Sequence, residues 1–427
     1  MSDLLFQFST LSIEEDEMKR RKLQHWHQNQ GYVKVVTIPV GQGDSTLIQC
    51  PGTDGDMTLI DMGADHFALS KNTYVEQVLA HTGGGVRIKH IFLTHPDKDH
   101  ISHGLSTAEN VGLLNKIDSD VKIYIGAKIG WQNDDSAKEI LDIIGEKPKL
   151  ILQQPRNLQI IHICGTSSPV KLQLLTKDKG RTKNSKSMVL KLINGQTAML
   201  FLGDLEDSPA ITNKPKMPVV QNLIDLHKKE KLDLKADVIM IPHHGSSNNG
   251  NGESNLYEVV GATSAIISSH IENTHDHPRR KTIESFCFGV PIESCDIPCG
   301  YKYSSWGTGM EYRGQADLSG EIKAAFCPDN DITAWASFKS VKPDLSGTTN
   351  YKSRNSPYQT LTCPGKRILQ TTRFIEDKTN GVKVHAYIIG TYLGPEAGQV
   401  DHVSGKLINA AKGNFKPPVD TNMFDMI

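Results

Sequence analysis

Six consecutive residues, His95-Pro-Asp-Lys-Asp-His100, carry four side chains able to hold a metal: His95, Asp97, Asp99 and His100. They follow directly on the apolar stretch Ile91-Phe92-Leu93 and Thr94. Carboxylates and imidazoles crowded in this way repel or desolvate one another unless a cation holds them together. The fold must therefore deliver this run, from the end of a buried strand, to a place where a divalent ion can sit. Such a site points to hydrolysis by metal-activated water. The plainer alternative is a solvated turn entering a helix capped by Asp97 or Asp99. Motifs further along the chain favour the metal.

With 427 residues the chain has room for two domains, or for one large domain with an extension. At 37% hydrophobic and 22% charged residues it is globular rather than disordered. Lys plus Arg (47) balances Asp plus Glu (48), so no global basic excess draws nucleic acid, and an anionic substrate must be met by a local patch. No apolar run approaches the roughly 20 residues a bilayer span requires, which predicts no membrane association. The N-terminus turns polar at once, with Glu14 to Glu17 ahead of Lys19 to Lys22, unlike a signal peptide. The seven cysteines are odd in number and widely scattered, as in a reduced, cytoplasmic protein.

Residues 1–30 read as a polar lead-in, helical from Ser12. Tyr32 to Ile38, Ser45 to Cys50 and Met57 to Asp61 read as strands separated by Gly-rich turns, an antiparallel meander. A helix is predicted over Thr73–Thr82, ending at three glycines, followed by a buried strand over Val86–Thr94. Strands are predicted at 121–125, 149–152, 170–176, 187–192, 197–202, 236–241 and 262–268, with helices at 136–144 and 222–231. Candidate functional residues recur at the C-terminal ends of these strands, the signature of a site built from loops at one edge of layered sheets. From about residue 291 to 427 the chain becomes rich in Gly, Ser, Thr, Pro and Asn and reads as an accessory β-rich extension, suited to recruiting a protein partner.

Three further constellations join the first. Gly203-Asp204 ends an apolar strand, where an Asp can bridge two cations. His243-His244-Gly245-Ser246 follows another strand and places two imidazoles near a site mouth, to bind metal, to donate a proton or to hold a phosphate. His275 and His277 precede Pro278 and offer a late ligand. Lys177, Lys179, Arg181, Lys183 and Lys186 form a basic stretch with one acid, Asp178, and Arg279 and Arg280 follow His277; both can steer an anion. Cys295, Cys299, Cys327 and Cys363 lack the regular spacing of a structural zinc site and read as free thiols. His162, between Ile161 and Ile163, reads as a core or strand residue. The chain lacks a Gly-rich phosphate loop, a Gly-x-Ser-x-Gly elbow and a dinucleotide fingerprint, which argues against a kinase, a serine hydrolase and a dehydrogenase.

His95-Pro-Asp97-Lys-Asp99-His100 resembles the His-x-Asp-x-Asp-His variant of the metallo-β-lactamase superfamily motif. The nearest likeness is to the soluble domain of the ComEC-type competence proteins. Val40-Gly-Gln-Gly-Asp-Ser, Leu59-Ile-Asp61-Met-Gly63, Asn184 to Leu190, Leu202-Gly-Asp204-Leu-Glu206, Ala236 to Ser246 and Asn273 to Pro278 follow in the same order. The resemblance covers about residues 31–285. It implies an α+β fold, an αββα sandwich over 31–290 with the C-terminal extension beyond it, and a metal centre at one edge. It implies that His95 and Asp97 serve one cation, that Asp99 and His100 serve a second, that Asp204 serves both, that His277 is the late ligand, and that His243 and His244 line the site. The family's separate third histidine for the first cation has no evident match, since His162 sits in an apolar setting. The membrane segments of ComEC are missing.

The expected protein is a soluble metal-dependent hydrolase, a phosphodiesterase or nuclease holding one or two Zn2+ or Mn2+ ions. Asp97 in place of an imidazole makes the site harder and more favourable to manganese. Asp99 is expected to orient the attacking water, and His243 or His244 to protonate the leaving oxygen. Lys186, Ser187, Ser246 and Arg279 are expected to contact an anionic substrate such as a nucleic acid or nucleotide. The alternatives are a lactone or thioester hydrolase, and a metal-stabilised binding module without activity.

Overall fold

The computed structural model describes residues 31–38, 40, 43–52, 55–64, 74–75, 78, 87–127, 130–177, 179–246, 250, 254–268, 277, 282, 285–286, 359–362, 368–371, 373–377 and 383–410. The expectations for the N-terminal lead-in, for His275, Arg279 and Arg280, and for Cys295, Cys299, Cys327 and Cys363 lie outside them.

Two mixed sheets face each other. In the first, β1 (Val33–Thr37), β2 (Ser45–Gln49) and β3 (Met57–Met62) form the antiparallel meander read from the sequence, with Val35 opposite Ile48 and Leu47 opposite Leu59. β4 (Ile88–Leu93), β5 (Val121–Ile125) and β6 (Leu150–Gln153) continue it in parallel. In the second, β7 (Ile160–Ile161), β8 (Val170–Thr176), β9 (Val189–Asn194) and β10 (Thr197–Phe201) are antiparallel neighbours, and β11 (Val238–Met240) and β12 (Ser264–Ile267) extend β10 in parallel. The C-terminal strands join both sheets. β13 (Gln359–Thr362) pairs with β14 (Ile368–Thr371), and β14 lies parallel to β12. β15 (Arg373–Asp377) and β17 (Val400–Ala410) flank β16 (Lys383–Leu393), and β16 is antiparallel to β1.

The layering explains the sequence pattern. A strand covered on both faces reads as a continuous apolar run rather than an alternation. One core lies between the sheets: Val33, Val35, Ile48, Ile60 and Phe92 from the first meet Leu172, Leu190, Met199, Val238 and Ile266 from the second. A second core lies on the outer face of the first sheet. There Leu47, Leu59, Ile91 and Ile123 pack against Trp131 and against the apolar stripe Ala137, Ile140 and Ile144 of the helix Asp135–Glu146. Tyr74, Val75 and Val78, the described residues of the expected 73–82 helix, are helical and buried in the same core. A third core places Val220, Leu223 and Ile224 of the helix Val219–Lys228, and Tyr257 and Val260 of the helix Ser254–Val260, on Leu200, Ile239 and Ala265. The result is helix, sheet, sheet, helix, the α+β sandwich that the resemblance implies. No helix among the described residues is long and apolar enough to cross a membrane.

Two expectations are corrected here. Cys50, at the end of β2, is disulfide-bonded to Cys164 beyond β7, so the chain is not uniformly reduced. The pair is 114 residues apart in sequence and meets only because the sheets stack. His162 is exposed between buried Ile161 and Ile163, because the alternation at β7 turns it outward.

His90 on β4 is the one buried imidazole whose surroundings oppose its charge among those with a resolved shift. Burial, then the positive charges of Lys122 and Lys89, pull its pKa down from the ordinary value to about 4. Its ring stacks loosely on Tyr124, centroids 5.9 Å apart. An unfolded chain takes up this proton near pH 6.5 while the folded chain refuses it until about pH 4. Stability is therefore lost as pH falls through that window, on the order of 2 kcal/mol from this group by pH 5. Urea unfolding of His90→Phe at pH 7.5 and pH 5 is expected to show a smaller acid loss than wild type by that amount. An equal loss in both proteins would remove His90 from the account.

Candidate metal centre

The C-terminal ends of β3, β4, β10, β11 and β12 converge at one edge of the sandwich, as ligand sites do in open sheets of parallel strands. β4 ends in Thr94 and His95, and the short helix Lys98–Ile101 that follows carries Asp99 and His100. Asp97 stands at the N-cap of that helix but makes no cap hydrogen bond. Its carboxylate instead lies 2.8 Å from Lys183 Nζ and 3.5 Å from His95 Nε2. The helix sits hard against the turn after β3. A Cβ at Gly63 would fall 2.1 Å from the Asp99 carbonyl carbon, so only glycine allows this approach.

Asp204, buried after β10, is the hub. His100 Nε2 lies 3.0 Å and His244 Nε2 3.7 Å from its Oδ1, while His95 Nε2 and His243 Nε2 each lie 3.6 Å from its Oδ2. His244 Nε2 also lies 3.2 Å from Asp99 Oδ2. One donor atom from each of Asp99, His100, Asp204 and His244 falls within 4.8 Å of the others. His95 Nε2, His100 Nε2 and Asp204 Oδ1 are buried and find no aligned hydrogen bond among the described residues. Buried polar atoms are nearly always satisfied. Nitrogens and a carboxylate oxygen that face one another without pairing are the arrangement of ligands around a cation, and this donor set fits one.

The far side of three of these rings is tied down, those of His95, His100 and His244. Asp61, at the end of β3, accepts from the Thr94 N–H at 2.7 Å and the Thr94 hydroxyl at 2.7 Å, and its Oδ2 lies 2.8 Å from His100 Nδ1. His244 Nδ1 faces the Ser268 carbonyl at 2.9 Å and His95 Nδ1 the Thr94 hydroxyl at 3.1 Å. Each such contact on Nδ1 leaves Nε2 turned inward, the tautomer that ligation requires. The backbone is bent to achieve this. Asp61 has φ 54°, and His243 and His244 are consecutive left-handed residues at φ 51° and 52°. Such conformations cost about 1–3 kcal/mol each.

The electrostatics follow. Burial opposes the charge on Asp204, yet His100, His243 and His244 hold its carboxyl well below the usual range. Burial likewise opposes protonation of His100, but Asp204 and Asp61 raise it well above the usual value. For His244, Asp204 and the Asp99 hydrogen bond override burial and lift the ring to about 9. Asp44, before β2 and 3.7 Å from His244 Nδ1, is pushed up to about 6 by burial, against the pull of His244 and His100.

Of the residues singled out from sequence, His95, Asp97, Asp99, His100, Asp204, His243 and His244 come together. His277 is buried with its ring edge-on to His243, centroids 5.4 Å apart. Lys186 is half-buried on the 3-10 turn Asn184–Lys186, while Ser187 and Ser246 are buried. Asp44, Asp61, Lys183 and Glu206 were not assigned to the site from sequence. Both aspartates lie within motifs that carry the family resemblance, near glycines at strand ends, and Lys183 belongs to the basic stretch read as able to steer an anion.

No protein-family profile matches this chain, and no curated protein matches it. Among solved structures it is similar to unliganded yeast PDE1, at 11% identity over 60% of this chain and 93% of that one, with a TM-score of 0.34. It is similar to a diphosphatase of the PhnP family, at 16% identity over 60% and 93%, TM-score 0.34. It is also similar to a metal-dependent hydrolase of the β-lactamase superfamily, at 12% identity over 60% and 91%, TM-score 0.34.

Replacing Asp61 by Asn tests the ring-orienting network. The amide oxygen can still accept from Thr94, but its NH2 then faces His100 Nδ1 and forces the proton onto Nε2. Divalent-cation affinity measured by equilibrium dialysis is expected to fall about 10- to 100-fold, with the circular dichroism spectrum retained. Unaltered affinity would show that Asp61 serves the fold alone.

Proposed function

We propose that this chain is a metal-dependent hydrolase that grips a divalent cation with Asp99, His100, Asp204 and His244 and turns water on an anionic phosphodiester, such as a nucleic acid or nucleotide. The observation that carries this reading is the approach of those four donors to within 4.8 Å of one another, with the inward atoms of His100 and Asp204 buried and unsatisfied. A cation bound there supplies a water of near-neutral pKa and positive charge for phosphoryl oxygens.

The chain's own groups do the rest. Asp99 has a side chain 22% exposed, whereas those of His100 and His244 are 0% exposed. It is thus the member of the set best placed to orient an attacking water and take its proton. His244 has Nδ1 on a carbonyl and Nε2 on Asp99 and Asp204, which suits ligation better than proton donation. Lys183, with its side chain 37% exposed, and Lys186 provide positive charge at the rim for an anionic substrate. A donor set of two carboxylates and two imidazoles suits Mn2+ or Zn2+ and is harder than an all-imidazole site. The order of motifs shared with the ComEC-type domain also favours a phosphodiester over a carbonyl substrate.

Protein stripped of metal and reloaded with Mn2+ or Zn2+ is expected to hydrolyse bis(p-nitrophenyl) phosphate. Asp99→Ala should lower turnover at least about 10²-fold while leaving the thermal midpoint within a few degrees. Hydrolysis of lactones or thioesters but not of phosphodiesters would overturn the substrate class. Cation binding without turnover on any of these would reduce the chain to a binding module.

A further inference from the structure

We propose that an exposed β-ribbon over residues 208–217, together with the basic loop between β8 and β9, forms an outer binding site on this chain: a track for the phosphate backbone of a polynucleotide, lying outside the metal centre and leading into it. The inference rests on the phosphodiester reading of that centre and adds where the rest of a long substrate runs.

The ribbon begins four residues after Asp204. Ser208 and Met217 exchange backbone hydrogen bonds at 3.0 and 2.9 Å, and Ile211 and Lys214 do so at 3.1 and 2.8 Å. Asn213, at φ 64°, closes the tip. Residues 209–216 are all exposed. Three residues of strand carry the tip about 10 Å beyond Ser208, room for about three phosphates of one strand at duplex spacing. Pro209 and Pro215 stiffen the two arms and remove edge donors.

The base of the ribbon is bonded to the β8–β9 loop. The Ser208 hydroxyl donates to Ser185 Oγ at 2.9 Å, the Arg181 N–H to Ser208 Oγ at 2.9 Å, and the Arg181 guanidinium to the Pro215 carbonyl at 2.7 Å. The same loop reaches the metal centre, with Lys183 Nζ 2.8 Å from Asp97 Oδ1. Ribbon and centre are therefore held in fixed relation by polar contacts, as a binding site on a scaffold requires.

Charge identifies the ligand. Residues 177–187 and 209–216 carry seven Lys and Arg against Asp178 alone, in a chain of net charge -1. Lys179 and Lys214 are exposed and have no acidic partner among the described residues. Lys216 is steadied by Asp207 at 3.1 Å, whose other oxygen caps the helix at Val220. A single phosphodiester at the centre is met by Lys183 and Lys186. The cations farther out meet an anion only if it is a polymer, with phosphates repeating along its length. Ile211, 52% exposed beside Lys214, gives the tip an apolar surface for a base or sugar.

The test uses the full chain. With metal removed so that no strand is cut, binding of a fluorescein-labelled oligothymidylate is followed by anisotropy as salt is raised. Lys179→Glu/Lys214→Glu is expected to bind about 10-fold more weakly at low salt and to reduce the slope of log affinity against log salt by about 1.4, the share of two phosphate contacts on a single strand. Ile211→Ser should weaken binding at every salt concentration and leave the slope alone. With Mn2+ restored, the double variant should lose a similar factor in kcat/KM on the oligothymidylate while hydrolysing bis(p-nitrophenyl) phosphate within about twofold of wild type. If the charge reversal disturbs the fold, Lys179→Ala/Lys214→Ala makes the same test. Unchanged oligothymidylate affinity in the double variant, equal loss on both substrates, or wild-type binding to polyglutamate as tight as to the oligothymidylate would overturn the track. A wild type that binds the strand through these lysines yet hydrolyses neither substrate would sink the phosphodiester reading and leave the track standing.

Discussion

A carboxylate taken out of water must find compensation of its own charge, and Asp204 finds it in four imidazoles that approach both of its oxygens. The cost of burying an isolated charge runs to several kcal/mol after relaxation, and only close, well-oriented partners repay it. Much of the site's geometry can be read as a consequence of that requirement. The left-handed residues at 61, 243 and 244, the fixed outer nitrogens and the glycine beneath Asp99 all serve to bring rings and carboxylate together. Strain of this kind persists where its surroundings over-determine it, which is what a rim of five converging strand ends provides.

The edge of a stacked pair of sheets is suited to this purpose. β4 and the helix after it deliver His95, Asp97, Asp99 and His100 from the first sheet. β10 and β11 deliver Asp204 and the histidine pair from the second. Hydrogen bonds clamp the two halves across the gap: Met188 N–H donates to the Thr94 carbonyl at 3.0 Å, and the Ser268 hydroxyl to the Gly43 carbonyl at 2.6 Å. Because the bonds from Met188 and Ser268 run between sheets, a shift of one sheet against the other would move ligands relative to Asp204. The apolar core between the sheets therefore sets distances within the site as well as stability.

Much of this was legible in the sequence, and the reasons for the rest are physical. Strands buried on both faces announce themselves as apolar runs, so β1 to β5 and β8 to β12 were predicted within a few residues, and the run at 95–100 marked the site by density alone. The helix Val219–Lys228 starts three residues ahead of its predicted place because its N-terminal amide at Val220 is capped by Asp207, twelve residues upstream of Val219 and off the helix. Local sequence holds no sign of that. Asp61 and Asp44 act through strand ends that meet only after the sheet forms. The Cys50–Cys164 pair likewise depends on stacking. That His244 reaches Asp204 turns on backbone angles at the Pro242–Gly245 turn, which residue identities do not specify.

Charge decides what the cluster can hold. Asp44, Asp61, Asp97, Asp99, Asp204 and Glu206 bring their carboxylates to a volume lined by imidazoles, with Lys183 paired to Asp97 beside them. This excess of negative charge raises the pKa of His100, His243 and His244 despite burial. A chain using these groups only to stabilise its fold would gain by replacing them with apolar residues of like volume, since buried ion pairs seldom outperform good packing. Four ring nitrogens turned toward one buried carboxylate suit a divalent cation better than they suit packing alone.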